Sequence, residues 1–218
     1  MQLNTVIFDM DGLLIDSEPL WNEAAAAIFS NYGIQLTPAQ YATTTGLRTR
    51  EFVQWWFSHF SINSYNAEKV DKEIVNMVIA LVKQKGKPLP GISHIFNFFI
   101  DRNFKIGLAS SSPMELINVV VDLLDIRTHI KYISSASDLE HAKPHPEVYL
   151  NAAKNLLSAP SECICFEDSF YGMIAVKSAA MKCVVVPGHA DAKNPKWGAA
   201  DLKISSLQNF NELLLQTL

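Results

Sequence analysis

Two carboxylates one residue apart, Asp9 and Asp11, close an apolar run and are followed by Gly12. Val6, Ile7 and Phe8 suit a buried strand, and an aspartate fits such a strand only where it ends. In an open α/β sheet the carboxyl edge of the strands is where ligands bind. Asp9 would project from the strand tip there, with Gly12 freeing the backbone to turn sharply. Carboxylates this close repel unless a cation lies between them or one is protonated. The pair therefore implies a divalent-metal site, a nucleophile beside an acid/base, or both. Asp-x-Asp-Gly also makes plain turns and opens calcium loops, but a calcium loop needs further oxygen ligands and a Glu at its twelfth position. Leu13 and Ile15 stand where ligands should be, and Leu20 is twelfth.

Three further stretches carry chemistry. Glu167 and Asp168 end another apolar strand and are followed by Ser169 and Gly172, which repeats the logic of the first pair. Mg²⁺ takes oxygen ligands in near-octahedral order, and such acids supply them; the same residues would also serve as a helix N-cap. Ser110-Ser111-Ser112-Pro113 lies at a strand-to-helix turn, where a hydroxyl and backbone N–H groups make a phosphate cradle or a simple cap. In Ala142-Lys143-Pro144-His145-Pro146 the prolines restrict the loop that holds Lys143. A lysine at a phosphate site supplies a point charge, although a lone lysine is by default solvent-exposed.

The elements that must position these residues follow from periodicity. Residues 18–30, with four consecutive alanines, predict a helix that Asn31-Tyr32-Gly33 ends. Thr37-Pro38 starts a short one. An aromatic helix over 52–60 and an amphipathic one over 66–85 follow, and Lys87-Pro88-Leu89-Pro90-Gly91 then punctuates the chain. Beyond it strands at 104–109, 131–134, 163–166 and 183–186 alternate with helices at 92–101, 113–124, 146–157, 171–180 and 207–215. Near-continuous apolar strands alternating with helices predict an α/β fold, a doubly wound parallel sheet covered on both faces. No strand pattern interrupts residues 18–85. The expected organisation is a Rossmann-like core of residues 1–15 and 88–218, with a small helical-bundle cap, 16–87, inserted between them.

The 218 residues, 49% hydrophobic and 18% charged, suffice for a large core. No apolar run spans a membrane and no leader pattern opens the chain, so a cytoplasmic protein with no membrane partner is expected. Net charge −4 argues against a nucleic-acid partner and leaves any attraction of an anion to local groups. Cys163, Cys165 and Cys183 lack a second pair at zinc spacing and read as small buried residues in a reducing compartment.

Asp9-Met10-Asp11-Gly12-Leu13-Leu14-Ile15-Asp16-Ser17, with Ser110, Lys-Pro-x-Pro at 143–146 and Glu167-Asp168-Ser169-x-x-Gly172, resembles the motif set of the haloacid dehalogenase-like hydrolases, over essentially the whole chain. Within them it resembles the branch that holds β-phosphoglucomutase and the sugar-phosphate phosphatases. The resemblance implies that Asp9 attacks phosphorus and becomes an aspartyl-phosphate, and that Asp11 protonates the leaving oxygen and then activates water. It further implies that Ser110, Ser111 and Lys143 hold the phosphoryl group, with Met10 among the substrate contacts. Mg²⁺ would be bound by Asp9, the Asp11 carbonyl and Asp168, with Glu167 direct or through water.

Dehalogenases of the same fold typically lack the second aspartate and do not need the metal, so Asp11, Glu167 and Asp168 together argue against that reading. The mutases carry a histidine just after the first motif, and none stands between Ser17 and Glu23; phosphonate hydrolases need an early cap lysine, absent between Ser17 and Phe60. A non-catalytic binding module would have little use for all these acids and Lys143. Ser17-Glu18-Pro19-Leu20-Trp21 and Gly46-Leu47-Arg48 look most like hexitol- and 2-deoxyglucose-6-phosphate phosphatases. On that likeness Gly46 lets backbone approach the sugar and Arg48 reaches one of its oxygens. The expected partner is a small phosphorylated metabolite, bound by a monomer.

Overall fold

The computed structural model describes residues 2–218. Six strands form one sheet: β1 (Thr5–Phe8), β2 (Lys105–Ser110), β3 (Tyr132–Ser135), β4 (Cys163–Glu167), β5 (Lys182–Val185) and β6 (Leu202–Lys203). Their order is β3-β2-β1-β4-β5-β6, with every pairing parallel. β1 lies centrally between β2 and β4, so the strand bearing the first acid pair is flanked by the strands that end in Ser110 and Glu167.

Alternation along the strands sorts side chains onto two faces. Val6, Phe8, Ile164, Phe166 and Val184 enter one apolar cluster; Ile7, Cys163, Cys165, Cys183 and Val185 enter the other. All three cysteines are buried and free. On the first face Phe8 stacks on Phe96 (ring centroids 5.1 Å) and Phe166 (5.2 Å). Phe96 comes from α5 (Ile92–Ile100), one of the helices covering the sheet with α6 (Met114–Leu123), α7 (Glu147–Asn155) and α8 (Phe170–Ser178).

Between β1 and α5 lie four helices and no strand: α1 (Glu18–Ser30), α2 (Pro38–Thr43), α3 (Thr49–His59) and α4 (Ala67–Lys85). Each start has a local cause. Pro19 falls in the first turn of α1, where a missing N–H costs nothing. Thr37 and Gln40 form a reciprocal capping box at α2, and Asn66 caps α4 by accepting from Lys69 N–H. α4 buries Val70, Ile74, Val78, Leu81 and Val82 against α1 and α3. The chain enters and leaves this insert through paired connectors. Ile15 bridges Pro88 in antiparallel fashion, Asp16 N–H donates to Lys87 O (2.9 Å), and Leu89 N–H to Leu14 O (2.9 Å). Among the described residues no helix is long and apolar enough to cross a membrane.

Two segments differ from expectation. β6 has only two residues, too short for any alternation to announce it. The closing helix expected over 207–215 is broken: a 3₁₀ turn, Leu207–Asn209, precedes α9 (Glu212–Gln216). Phe210 is pulled into the core between them, and Asn211 in extended conformation caps the new helix from its side chain.

Candidate active site

Asp9 follows β1 directly, and its N–H still donates to Phe166 O (3.0 Å), so the strand geometry aims its carboxylate off the sheet edge. Only 5% of the residue is exposed. Lys143 Nζ donates to Asp9 Oδ1 and to Glu167 Oε1, each at 2.6 Å, in a buried three-group bridge. Burial raises the Asp9 carboxyl to about 8; the Lys143 charge opposes that rise, and the charges of Glu167 and Asp11 add to it. Burial disfavours the Lys143 ammonium, but the Asp9 and Glu167 carboxylates outweigh it and raise its pKa.

Glu167 is fully buried at the end of β4, and both of its oxygens are engaged. Oε1 accepts from Lys143 and from the Tyr149 hydroxyl (2.5 Å); Oε2 accepts from the N–H groups of Asp168 and Ser169 (3.1 Å each) and from Ser169 Oγ (3.0 Å). A Cβ at position 172 would fall 1.8 Å from Glu167 Oε1, so glycine lets this carboxylate fold against α8. The N-cap of α8 is Ser169, whose Oγ accepts from Gly172 N–H.

Asp11 is held from two directions. Ser17 Oγ (2.6 Å) and Trp21 Nε1 (3.0 Å) donate to Oδ1, while Ser112 Oγ (2.7 Å) and Ser110 Oγ (3.4 Å) donate to Oδ2. Ser110 Oγ in turn accepts from Ser112 N–H (3.0 Å), the turn chemistry expected past a strand end. Ser111 Oγ donates to Gly46 O (2.8 Å), a contact between core and insert.

Asp168 is partly exposed, but its Oδ1 is buried and has no hydrogen-bond partner. Burial, and then the charges of Asp9, Glu167 and Glu18, raise its carboxyl well above the usual range. One oxygen each from Asp9, Glu167 and Asp168 lies within 4.8 Å of the others. A buried orphan oxygen in a cluster of three acids is a donor set for a hard divalent cation such as Mg²⁺. The residues present fit that group. Gly12, at φ +73°, passes so close that a Cβ there would lie 2.0 Å from Asp168 Oδ2, which explains the glycine after the first acid pair.

Asp9, Asp11, Ser110, Ser111, Lys143 and Asp168 line one cavity of about 230 Å³, with residues of the insert in its wall. Two expected substrate contacts do not. The Met10 side chain is fully buried in the core, so its side chain is packing. Arg48 is turned onto the core: Nη1 donates to Ala136 O and Leu139 O (2.9 Å each), and the guanidinium pairs with Glu51. These carbonyls, in the turn that follows β3, hold the planar fork of donors away from the cavity lining.

Sequence reasoning missed Ser17, Trp21 and Ser112 around Asp11, Tyr149 behind Glu167, and Glu18 in the cavity wall. Burial, chiefly, raises the Glu18 carboxyl, and the charges of Asp11 and Asp16 add to it while a hydrogen bond from Thr45 opposes. The spacing of Ser17 and Trp21, one helical turn apart, was the available signal for two donors on one face.

The sequence profile of the haloacid dehalogenase-like hydrolases matches residues 6–186. The chain is 36% identical over 207 residues to hexitol phosphatase B of Escherichia coli K12, covering 94% of this chain and 93% of that protein. It is 28% identical over 180 residues to a phosphorylated carbohydrates phosphatase of Thermotoga maritima, covering 83% of each. Among solved structures, β-phosphoglucomutase of Clostridium difficile superposes with a TM-score of 0.88 at 26% identity, over 99% of this chain and 96% of that one. With the acids and the lysine converging at the strand ends, the chain belongs to the haloacid dehalogenase-like hydrolases and is a phosphoric monoester hydrolase.

Proposed function

We propose that the enzyme hydrolyses small sugar or sugar-alcohol phosphates, of the hexitol phosphate or 2-deoxyglucose 6-phosphate type, through an aspartyl-phosphate on Asp9. The observation that carries this reading is the convergence of Asp9, Asp11, Ser110, Lys143 and Asp168 on one cavity from separate strand ends. The likeness to hexitol phosphatase B supports the substrate type. The domain division follows the same reading, with residues 16–87 as a cap on a core of 1–15 and 88–218. So does the setting, a cytoplasmic monomer.

In the first step an Asp9 carboxylate oxygen bonds to phosphorus as the ester P–O bond breaks, and Asp11 gives its proton to the departing alcohol oxygen. In the second, water loses a proton to Asp11 and attacks phosphorus, and the Asp9–phosphorus bond breaks to release inorganic phosphate. Lys143 and Ser110 face the equatorial oxygens and stabilise the charge that spreads over them. A Mg²⁺ held by Asp9, Asp168 and the Asp11 carbonyl, with Glu167 behind, would neutralise charge so that one anion can approach another.

The test is phosphate release from a panel of sugar and polyol phosphates, with Mg²⁺ or EDTA, by wild type and Asp9→Asn. Release that needs the metal and vanishes in Asp9→Asn is expected. Release indifferent to both changes would place the chemistry elsewhere.

A further inference from the structure

The cavity carries its positive charge at one place. Among the described residues that line it, Lys143 is the one basic side chain, and it lies buried against Asp9 and Glu167. The insert gives the cavity an acid, Glu18, the neutral polar groups of Asn22, Thr44, Thr45 and Thr49, and an apolar wall that includes Tyr41, Phe52 and Ile74. The Tyr41 hydroxyl donates to Asn22 O (3.3 Å). Arg48 follows the cavity residue Leu47 in sequence, but its guanidinium is spent on Ala136 O, Leu139 O and Glu51.

We infer that this cavity selects esters bearing a single phosphate on an otherwise uncharged body, and that Glu18 is the residue that turns away a second phosphate. The inference rests on the phosphatase reading and narrows its substrate class. A phosphate bound at Asp9, Ser110 and Lys143 leaves the rest of the molecule against the insert. A second phosphoryl group there meets a carboxylate and an apolar wall and finds no cation. Like charges in a partly enclosed site, with no cation beside them, oppose binding. Discrimination thus comes from a repulsive element beside the attractive one. Substrate hydroxyls suit Glu18, Asn22 and Thr45, while a deoxy or methylene face suits Phe52 and Ile74. The fitting class is a neutral polyol or deoxy-sugar monophosphate.

The experiment is calorimetric titration of the Asp9→Asn enzyme, with Mg²⁺, using glucitol 6-phosphate and glucitol 1,6-bisphosphate, which differ by one phosphoryl group. The monophosphate is expected to bind at least about tenfold tighter, a gap of ~1.4 kcal/mol. Adding Glu18→Gln should narrow the gap by strengthening the bisphosphate. Thr45→Lys, which brings a cation into the cavity, should narrow it independently should the Glu18 variant fold poorly. Equal or tighter binding of the bisphosphate overturns the inference while leaving the phosphatase reading intact. So does a gap that neither substitution moves. Failure of both esters to bind, together with no phosphate release from either by wild type, overturns the inference and the phosphatase reading together.

Discussion

Trp21 Nε1 lies 3.0 Å from Asp11 Oδ1, which puts the first helix of the insert in direct contact with the proposed proton donor. The indole cannot accept a hydrogen bond, so it holds Oδ1 as an acceptor, while Oδ2 lies against Ser112 and Ser110. Trp21→Phe keeps the aromatic bulk and deletes this donor. Losing one such bond changes free energy by about 0.5–1.5 kcal/mol, so kcat should fall roughly three- to tenfold with little change in KM. Steady-state kinetics check this; a rise in KM alone would mean that the indole serves substrate and not Asp11.

Lys143 bridges two buried carboxylates, and its removal takes their shared cation away. Lys143→Met should abolish turnover and cost about 3–5 kcal/mol of unfolding free energy in EDTA, because an uncompensated buried charge is strongly destabilising. Glu167→Gln in the Lys143→Met background should recover part of that loss. Urea titration of both single variants and the double variant against wild type measures the coupling, and additive losses would deny that the three groups act as one unit.

The glycine at position 12 is required by Asp168. Gly12→Ala would set a methyl 2.0 Å from Asp168 Oδ2 on a backbone at φ +73°, so Asp168 must move. The Mg²⁺ concentration for half-maximal activity should rise at least about tenfold, with ~1 kcal/mol of stability lost to the left-handed backbone. Gly188→Ala, with nothing within 4 Å of the added Cβ, is the matched control and should leave both quantities unchanged.

An acid-stability device sits at the far edge of the sheet. Asp201 Oδ2 accepts from Lys177 Nζ (2.5 Å) and Cys183 N–H (2.8 Å), tying α8 to the edge beside β6. Burial works against the Asp201 carboxylate, but these two bonds and the Lys177 and Lys182 charges hold its pKa below the ordinary value. A lowered folded-state pKa contributes stability above the unfolded value of about 3.9, and that contribution is lost as pH falls through the folded one. Asp201→Asn should therefore lower the melting temperature at pH 7, and the difference should shrink as pH falls below about 3.9 and through the lowered folded-state pKa. A constant difference across that range would mean that packing, and not charge, is what Asp201 supplies.

Acids at the ends of apolar strands were legible in the sequence because a buried strand tolerates them nowhere else, and Asp9, Asp168 and Glu167 sit where that argument puts them. The cap of α2 at Thr37 and the parallel, two-faced sheet were legible for equally local reasons. What escaped was set by partners distant in sequence. Tyr149 reads as an ordinary core aromatic on an amphipathic helix until β4 brings Glu167 to its hydroxyl. Arg48 reads as a substrate ligand from a short local likeness, but its carbonyl partners lie 88 and 91 residues away. Leu202–Lys203 became a strand because β5 offered an open edge, a cause outside its own two residues.

The paired connectors at Ile15 and Pro88 bring the two ends of the helical insert together on the core. Because the core already holds its two ends side by side, the entropic cost of closing whatever chain runs between them grows slowly, by only about 0.6 kcal/mol for each doubling of length. A longer, shorter or differently shaped insert could be spliced between Asp16 and Lys87 without disturbing β1, β2 or β4. Any graft must keep Ser17 and Trp21, which lie in the insert and hold Asp11, so selectivity and chemistry are only partly separable quantities in this chain.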